Sequence, residues 1–130
     1  MDTMSVNATA DRSTTAVADA RDATRVFLEA LGQPGLAPEA GDTVALVVSE
    51  LATNALRHGG GSFTLRLTAH PDTIEVAVDD TSPWEPRMRT PDLSGGTGGF
   101  GWPMVNRLAH TTAVTQRPAG GKTVSAVLAR

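Results

Sequence analysis

Ser49-Glu50-Leu51-Ala52-Thr53-Asn54-Ala55-Leu56-Arg57-His58-Gly59 decides how this 130-residue chain folds. Its apolar positions recur at helical spacing, and Glu50 and Asn54 stand at i and i+4 on one face. Arg57 and His58 complement the negative end of the helix dipole, and glycine then ends the helix. A carboxylate and a carboxamide one turn apart suit two roles: an exposed polar stripe, or a metal-phosphate site. Two later segments bear on the choice, Val78-Asp79-Asp80-Thr81-Ser82-Pro83 and Gly95-Gly96-Thr97-Gly98-Gly99-Phe100-Gly101.

Working outward, the same helix reads from Pro38 or Glu39 to His58, with Val44, Val47, Val48, Leu51, Ala52, Ala55 and Leu56 as its buried side. Ala16 to Leu31 reads as an earlier helix whose stripe is Val17, Ala20, Ala23, Thr24, Phe27, Leu28 and Leu31. Gly32 and Pro34 stop it. Downstream, Phe63, Leu65 and Leu67 alternate with polar residues, as do Ile74, Val76 and Val78 after a His70-Pro71-Asp72 turn. That pattern predicts a hairpin with one buried face. Ser82 to Gly101, with three prolines and five glycines, predicts a long loop of the kind that is functional or disordered. A short helix from Trp102 to Ala109 follows, with Pro103 in its opening turn. A second hairpin joins Thr112–Thr115 to Thr123–Leu128 across Pro118-Ala119-Gly120-Gly121. Residues 1–14 are polar and without periodicity, and read as a disordered tail before one domain over 15–130. The element order predicts an α+β two-layer sandwich with the helices on one face of the sheet.

Composition narrows the classes. The chain holds no cysteine, so disulfides and thiolate metal sites are excluded. No apolar run reaches the ~18 residues of a membrane helix. The polar start lacks the order of a signal peptide, so a cytoplasmic location and no membrane partner are expected. A net charge of −3 argues against direct nucleic-acid binding as the main task. After Asp92 no acidic residue occurs, while Arg107, Arg117, Lys122 and Arg130 do. This mild asymmetry suits an anionic ligand and equally an ordinary solvated surface.

Two tempting motifs fail. Gly96-Thr97-Gly98-Gly99-Phe100-Gly101 matches GxGxxG, but it follows a Pro-rich loop and lacks an acidic residue about 20 positions on. Gly121-Lys122-Thr123 would end a Walker A loop only with glycine at 116, where Gln116 stands. What remains is a glycine run leading into a helix, which lets backbone N–H groups approach an anion. Asp80 at a strand end either accepts from an exocyclic amine or caps its turn. Its neighbour Asp79 points to the other face and is expected to be solvated. Asn54 suits Mg²⁺ that keeps phosphate oxygens as ligands, and Glu50 suits a general base.

In this combination and order, from about Ala16 to Leu128, the chain resembles the GHKL ATPase superfamily of gyrase, chaperone, histidine-kinase and mismatch-repair ATPase domains. It is most similar to the stand-alone anti-sigma-factor serine kinases and their actinobacterial relatives. Glu50 to Gly59 resembles the N box, and the Gly120-Gly121-Lys122-Thr123-Val124 strand also matches. The resemblance implies the Bergerat fold, with a mixed, mainly antiparallel sheet, and ATP with Mg²⁺ as cofactors.

It implies Glu50 as the catalytic base and Asn54 as the magnesium ligand among the phosphates. It implies Asp80 as acceptor for the adenine amino group, with Thr123 supporting Asp80 and adenine through its hydroxyl. Ser82, Gly96, Gly98, Gly99, Phe100 and Gly101 complete the cofactor-binding set, with Arg57 and His58 as phosphate or partner contacts beside Arg87 and Arg89.

Two departures stand out. The family's Asp-x-Gly-x-Gly reads Asp80-Thr81-Ser82-Pro83-Trp84 here, and Phe100, Trp102 and Pro103 crowd the glycine box. Trp84 and Trp102 read as core residues, with a lid as the alternative. The implied function is regulatory: an anti-sigma-factor-like serine/threonine kinase acting on a small antagonist protein. Its implied partners are that antagonist, a sigma factor, and a second copy in a homodimer. The alternative is a weak or inactive binding module that sequesters a sigma factor or another partner, with ATP as structural ligand. The detached ATPase half of a histidine kinase ranks below both.

Overall fold

The computed structural model describes residues 2–9, 15–31, 36, 38–58, 62–82 and 101–130. In chain order the elements are β1 (Asp2–Thr9), α1 (Ala16–Glu29), α2 (Pro38–His58), β2 (Ser62–Ala69), β3 (Thr73–Asp80), α3 (Gly101–Leu108), β4 (Thr111–Gln116) and β5 (Lys122–Ala129). The helices and both hairpins fall within two residues of the positions their periodicity predicts. Tight turns set the strand registers. His70 N–H donates to Thr73 O at 2.9 Å in the first hairpin. In the second, Arg117 and Gly121 close the loop at 3.0 Å, with Gly120 and Gly121 at positive φ.

The five strands form one sheet in the order β1-β2-β3-β5-β4. All four pairings are antiparallel, so among the described residues the sheet is not the mixed one expected. The long connection through α3 lets β4 and β5 add to the far side of β3 as a second antiparallel hairpin.

The N-terminal expectation is also corrected. Asp2–Thr9, read as part of a disordered tail, is an eight-residue edge strand paired along all of β2, with Met4 opposite Leu67 and Val6 opposite Leu65. Its order comes from backbone hydrogen bonds to a strand sixty residues away in sequence, which local composition does not encode. Residues 10–14 of that expected tail lie outside the described residues.

One face of the sheet carries the helical layer. α2 lies across β2, β3 and β5, α1 packs on α2 and β1, and α3 packs on α2, β4 and β5. Burial alternates along the central strands, so Leu65, Leu67, Ile74, Val76, Val78 and Leu128 meet Val44, Val47, Val48 and Leu51 of α2. Removing each such side chain from water contributes about 1.5–3 kcal/mol. Leu67, with no exposed surface, is a position where truncation to alanine would cost about 2–5 kcal/mol. Trp102 packs against this core from α3, as the core reading expected; Trp84 lies outside the described residues.

A candidate nucleotide site at the β3–β5 ends

The inward alternation of β3 runs Ile74, Val76, Val78 and then Asp80, which places a carboxylate where the apolar series ends. Asp80 is only 4% exposed, a costly position for a charge without partners. Across the ladder its register partner is Lys122, the first residue of β5 and itself buried. Lys122 Nζ lies 3.0 Å from Asp80 Oδ1 and 2.9 Å from Oδ2, and donates to Ser82 O at 3.3 Å. The backbone N–H of Ser82 donates to Asp80 Oδ1 at 3.0 Å, folding the chain back just past the strand. Gly121 makes the close approach feasible: at φ +81° it lies against the Asp80–Thr81 backbone, where a Cβ would collide with Asp80 O.

Asp79 occupies the other face. It accepts two hydrogen bonds from Arg66, at 2.8 and 3.2 Å, and one from the Thr123 hydroxyl. Burial raises its carboxyl, but the hydrogen bonds of Arg66 and Thr123 and the charges of Arg66 and Arg117 outweigh that and hold it below its ordinary range. Two expectations change here. Asp79 is partnered rather than simply solvated, and Thr123 bonds to Asp79 rather than to Asp80. The cause is strand parity: with Asp80 opposite Lys122, Thr123 is opposite Asp79 and shares its face.

On α2, Glu50, Asn54 and Arg57 follow one another at i, i+4 and i+7, with Glu50 and Asn54 half-buried and Arg57 exposed. They flank the buried stripe that holds α2 on the sheet. Burial holds the Glu50 carboxyl above its ordinary value of 4.5, and the positive charge of Arg57 draws it partly back. A carboxylate made more basic by partial desolvation is suited to accept a proton.

The structure thus brings Asp80 and Ser82 together at one strand end, places Glu50, Asn54 and Arg57 along α2, and puts Gly101 at the first position of α3. Gly96, Gly98, Gly99 and Phe100 lie outside the described residues, as do Arg87, Arg89 and the side chain of His58. Lys122 is the residue that sequence reasoning missed. The signal lies in the β3–β5 register and not in local sequence, since an antiparallel pairing puts directly opposed residues on one face.

The Asp80 carboxylate has capacity left for the exocyclic amine of a nucleotide base. A carboxylate offers about four lone-pair positions. Ser82 and Lys122 engage three of them, leaving an acceptor on Oδ2 for an exocyclic amine. Among the described residues no three His, Cys, Asp or Glu side chains are grouped to hold a metal. Asn54 is the side chain that would hold a Mg²⁺ beside phosphate oxygens, a coordination such ions often take.

Residues 13–128 match the histidine kinase-like ATPase domain, and the chain belongs to that family. Membership implies ATP binding. Comparison with curated proteins yields no match. Among solved structures, the chain is similar to the RsbU and RsbW domains of Rv1364c from Mycobacterium tuberculosis, with a TM-score of 0.70 and 17% identity. That likeness covers 98% of this chain and 32% of the other, so this chain spans about a third of its length. It is also similar to a chain of the SiaB–SiaC complex from Pseudomonas aeruginosa, with a TM-score of 0.59, 14% identity, and 98% and 89% of the two chains covered. At these identities the likeness establishes the shared fold.

Proposed function

We propose that this protein is a cytoplasmic Mg-ATP-binding regulator that phosphorylates serine or threonine on a small antagonist protein, in the manner of an anti-sigma-factor kinase. The observation that carries the reading is the half-buried Glu50, raised in basicity, one helical turn from the Asn54 carboxamide. Transfer of this kind depends chiefly on positioning and charge neutralisation. Asp80 would accept from the base amine, and Asn54 would hold the Mg²⁺ that neutralises phosphate charge when bound. Glu50 would take the proton of the incoming hydroxyl, and Arg57 would restrain its basicity. A protein partner is supported by the SiaB–SiaC structure, in which the similar chain belongs to a complex of two named proteins. A sigma factor and a second copy of this chain complete the proposed set of partners.

The test is transfer from γ-labelled ATP to small proteins that co-purify with the chain. The wild type labels a partner and Glu50→Ala does not; equal labelling by both overturns the catalytic half of the reading.

One observation favours a second reading. Asp80 already has partners within the fold, in Lys122 and Ser82, and so needs no ligand to be stable. In that case the chain is a binding module that sequesters a sigma factor or another partner, with ATP as structural ligand. Normal partner capture by a folded Asp80→Asn variant that no longer binds ATP would support it.

A further inference from the structure

We propose that the outer edge of β4 is a docking edge for an extended segment of a protein partner, uncharged in its middle and acidic at its ends. The inference goes beyond the nucleotide-site reading and does not depend on it. β4 is the last strand of the sheet, and among the described residues no strand pairs with its outer side. Its residues, Thr111-Thr112-Ala113-Val114-Thr115-Gln116, include no charge and no proline, the devices that ordinarily keep an edge from pairing with another chain.

Strand parity decides which backbone groups this edge offers. Arg117 N–H donates to Gly121 O at 3.0 Å, one step beyond Gln116 opposite Lys122, so that pair is hydrogen-bonded. Hydrogen-bonded pairs alternate along an antiparallel ladder, so Thr111, Ala113 and Thr115 turn their N–H and C=O to β5. Thr112 and Val114 turn theirs away from the sheet, where an added strand would meet them.

Charge selects the occupant. Arg107, in the last turn of α3, and Arg117, just past β4, are exposed at the two ends of the edge. After Asp92 the chain has no acidic residue, and its other basic residues there, Lys122 and Arg130, are engaged within the fold by Asp80 and by His70 O. The six residues of β4 span about 20 Å, so an incoming segment of similar length would lie between two cationic ends. A second copy is a poorer match: pairing β4 with itself about a two-fold axis sets the Arg107 end of each copy against the Arg117 end of the other, a like-charge contact. The opposite sheet edge, β1, has no Lys or Arg in its sequence and lacks these cationic ends.

The test is fluorescence-anisotropy titration of the full chain with a labelled synthetic peptide, Thr and Val in alternation with an Asp-Glu pair at each end. The same peptide ended in Lys-Lys is the charge control. The wild type binds the acidic-ended peptide about tenfold or more tightly than the basic-ended one, and the preference shrinks as salt rises. Val114→Pro removes an outward N–H and leaves the β5 ladder intact. It weakens peptide binding by about tenfold or more, with circular dichroism and ATP titration unchanged. Arg107→Glu with Arg117→Glu, both at the surface, reverses the preference between the peptides and serves if the proline variant does not fold. No binding of the acidic-ended peptide by folded wild type, equal affinity for both peptides, or wild-type binding by folded Val114→Pro overturns the inference. Self-association that Val114→Pro abolishes, without peptide binding, overturns it in favour of a second copy. The nucleotide-site reading fails separately, on ATP titration of the same wild type.

Discussion

Lys122 and Asp80 face each other across the β3–β5 ladder as a buried ion pair, with Nζ 2.9 Å from Oδ2 and both side chains almost inaccessible to solvent. The pair closes the inward face of the sheet where its apolar residues end. It is therefore both a structural element and the head of the candidate site, and the two roles separate by mutation.

Removing one partner strands a charge. Lys122→Met is expected to lower stability by about 3–5 kcal/mol in urea denaturation, whereas Asp80→Leu with Lys122→Met costs less than either single change. Additive losses would mean that the two groups do not act as a pair.

Gly121 and Gly120 sit in the same turn and differ in what surrounds them. Gly120, at φ +98°, has open space about it, so Gly120→Ala should cost about 1–2 kcal/mol from backbone conformation alone. Gly121→Ala adds a collision with the Asp80 backbone and is expected to lower Tm further and to weaken nucleotide binding. Equal losses at the two positions would show that the turn does not brace Asp80.

Asp79 and Glu50 predict opposite pH effects. The Asp79 carboxyl is held below its ordinary 3.8 in the folded chain, so its contribution is present above that pH and fades as pH falls through the lowered value. The stability gap between wild type and Asp79→Asn should therefore narrow in acid. Glu50 is held above 4.5, so its ionisation opposes folding as pH rises through the raised value. Glu50→Gln is expected to match or exceed wild-type stability at neutral pH and to lose that advantage below about 4.5. Urea midpoints from pH 3 to pH 7 for both variants check the two signs.

Much of this was legible from residue order. The α2 stripe, the two hairpins and the end of β3 at Asp80 follow from periods of 3.6 and 2, which local sequence carries directly. Strand β1 was not legible, because its order depends on pairing with β2 and its own composition is mostly polar. The Thr123 expectation failed on a single parity. A lysine opening a strand looks like a solvated residue, and only the β3–β5 register shows that Lys122 is the inward one.

The most direct test of the central claim is calorimetric titration of ATP into wild type and Asp80→Asn, with and without Mg²⁺. The folded Asp80→Asn/Lys122→Met double variant serves as a control for loss of structure. Magnesium-dependent binding by the wild type, weakened by about tenfold or more in both variants, is the predicted result. Absence of binding by folded wild type, or equal affinity in the variants, would contradict the assignment of Asp80 to a nucleotide site.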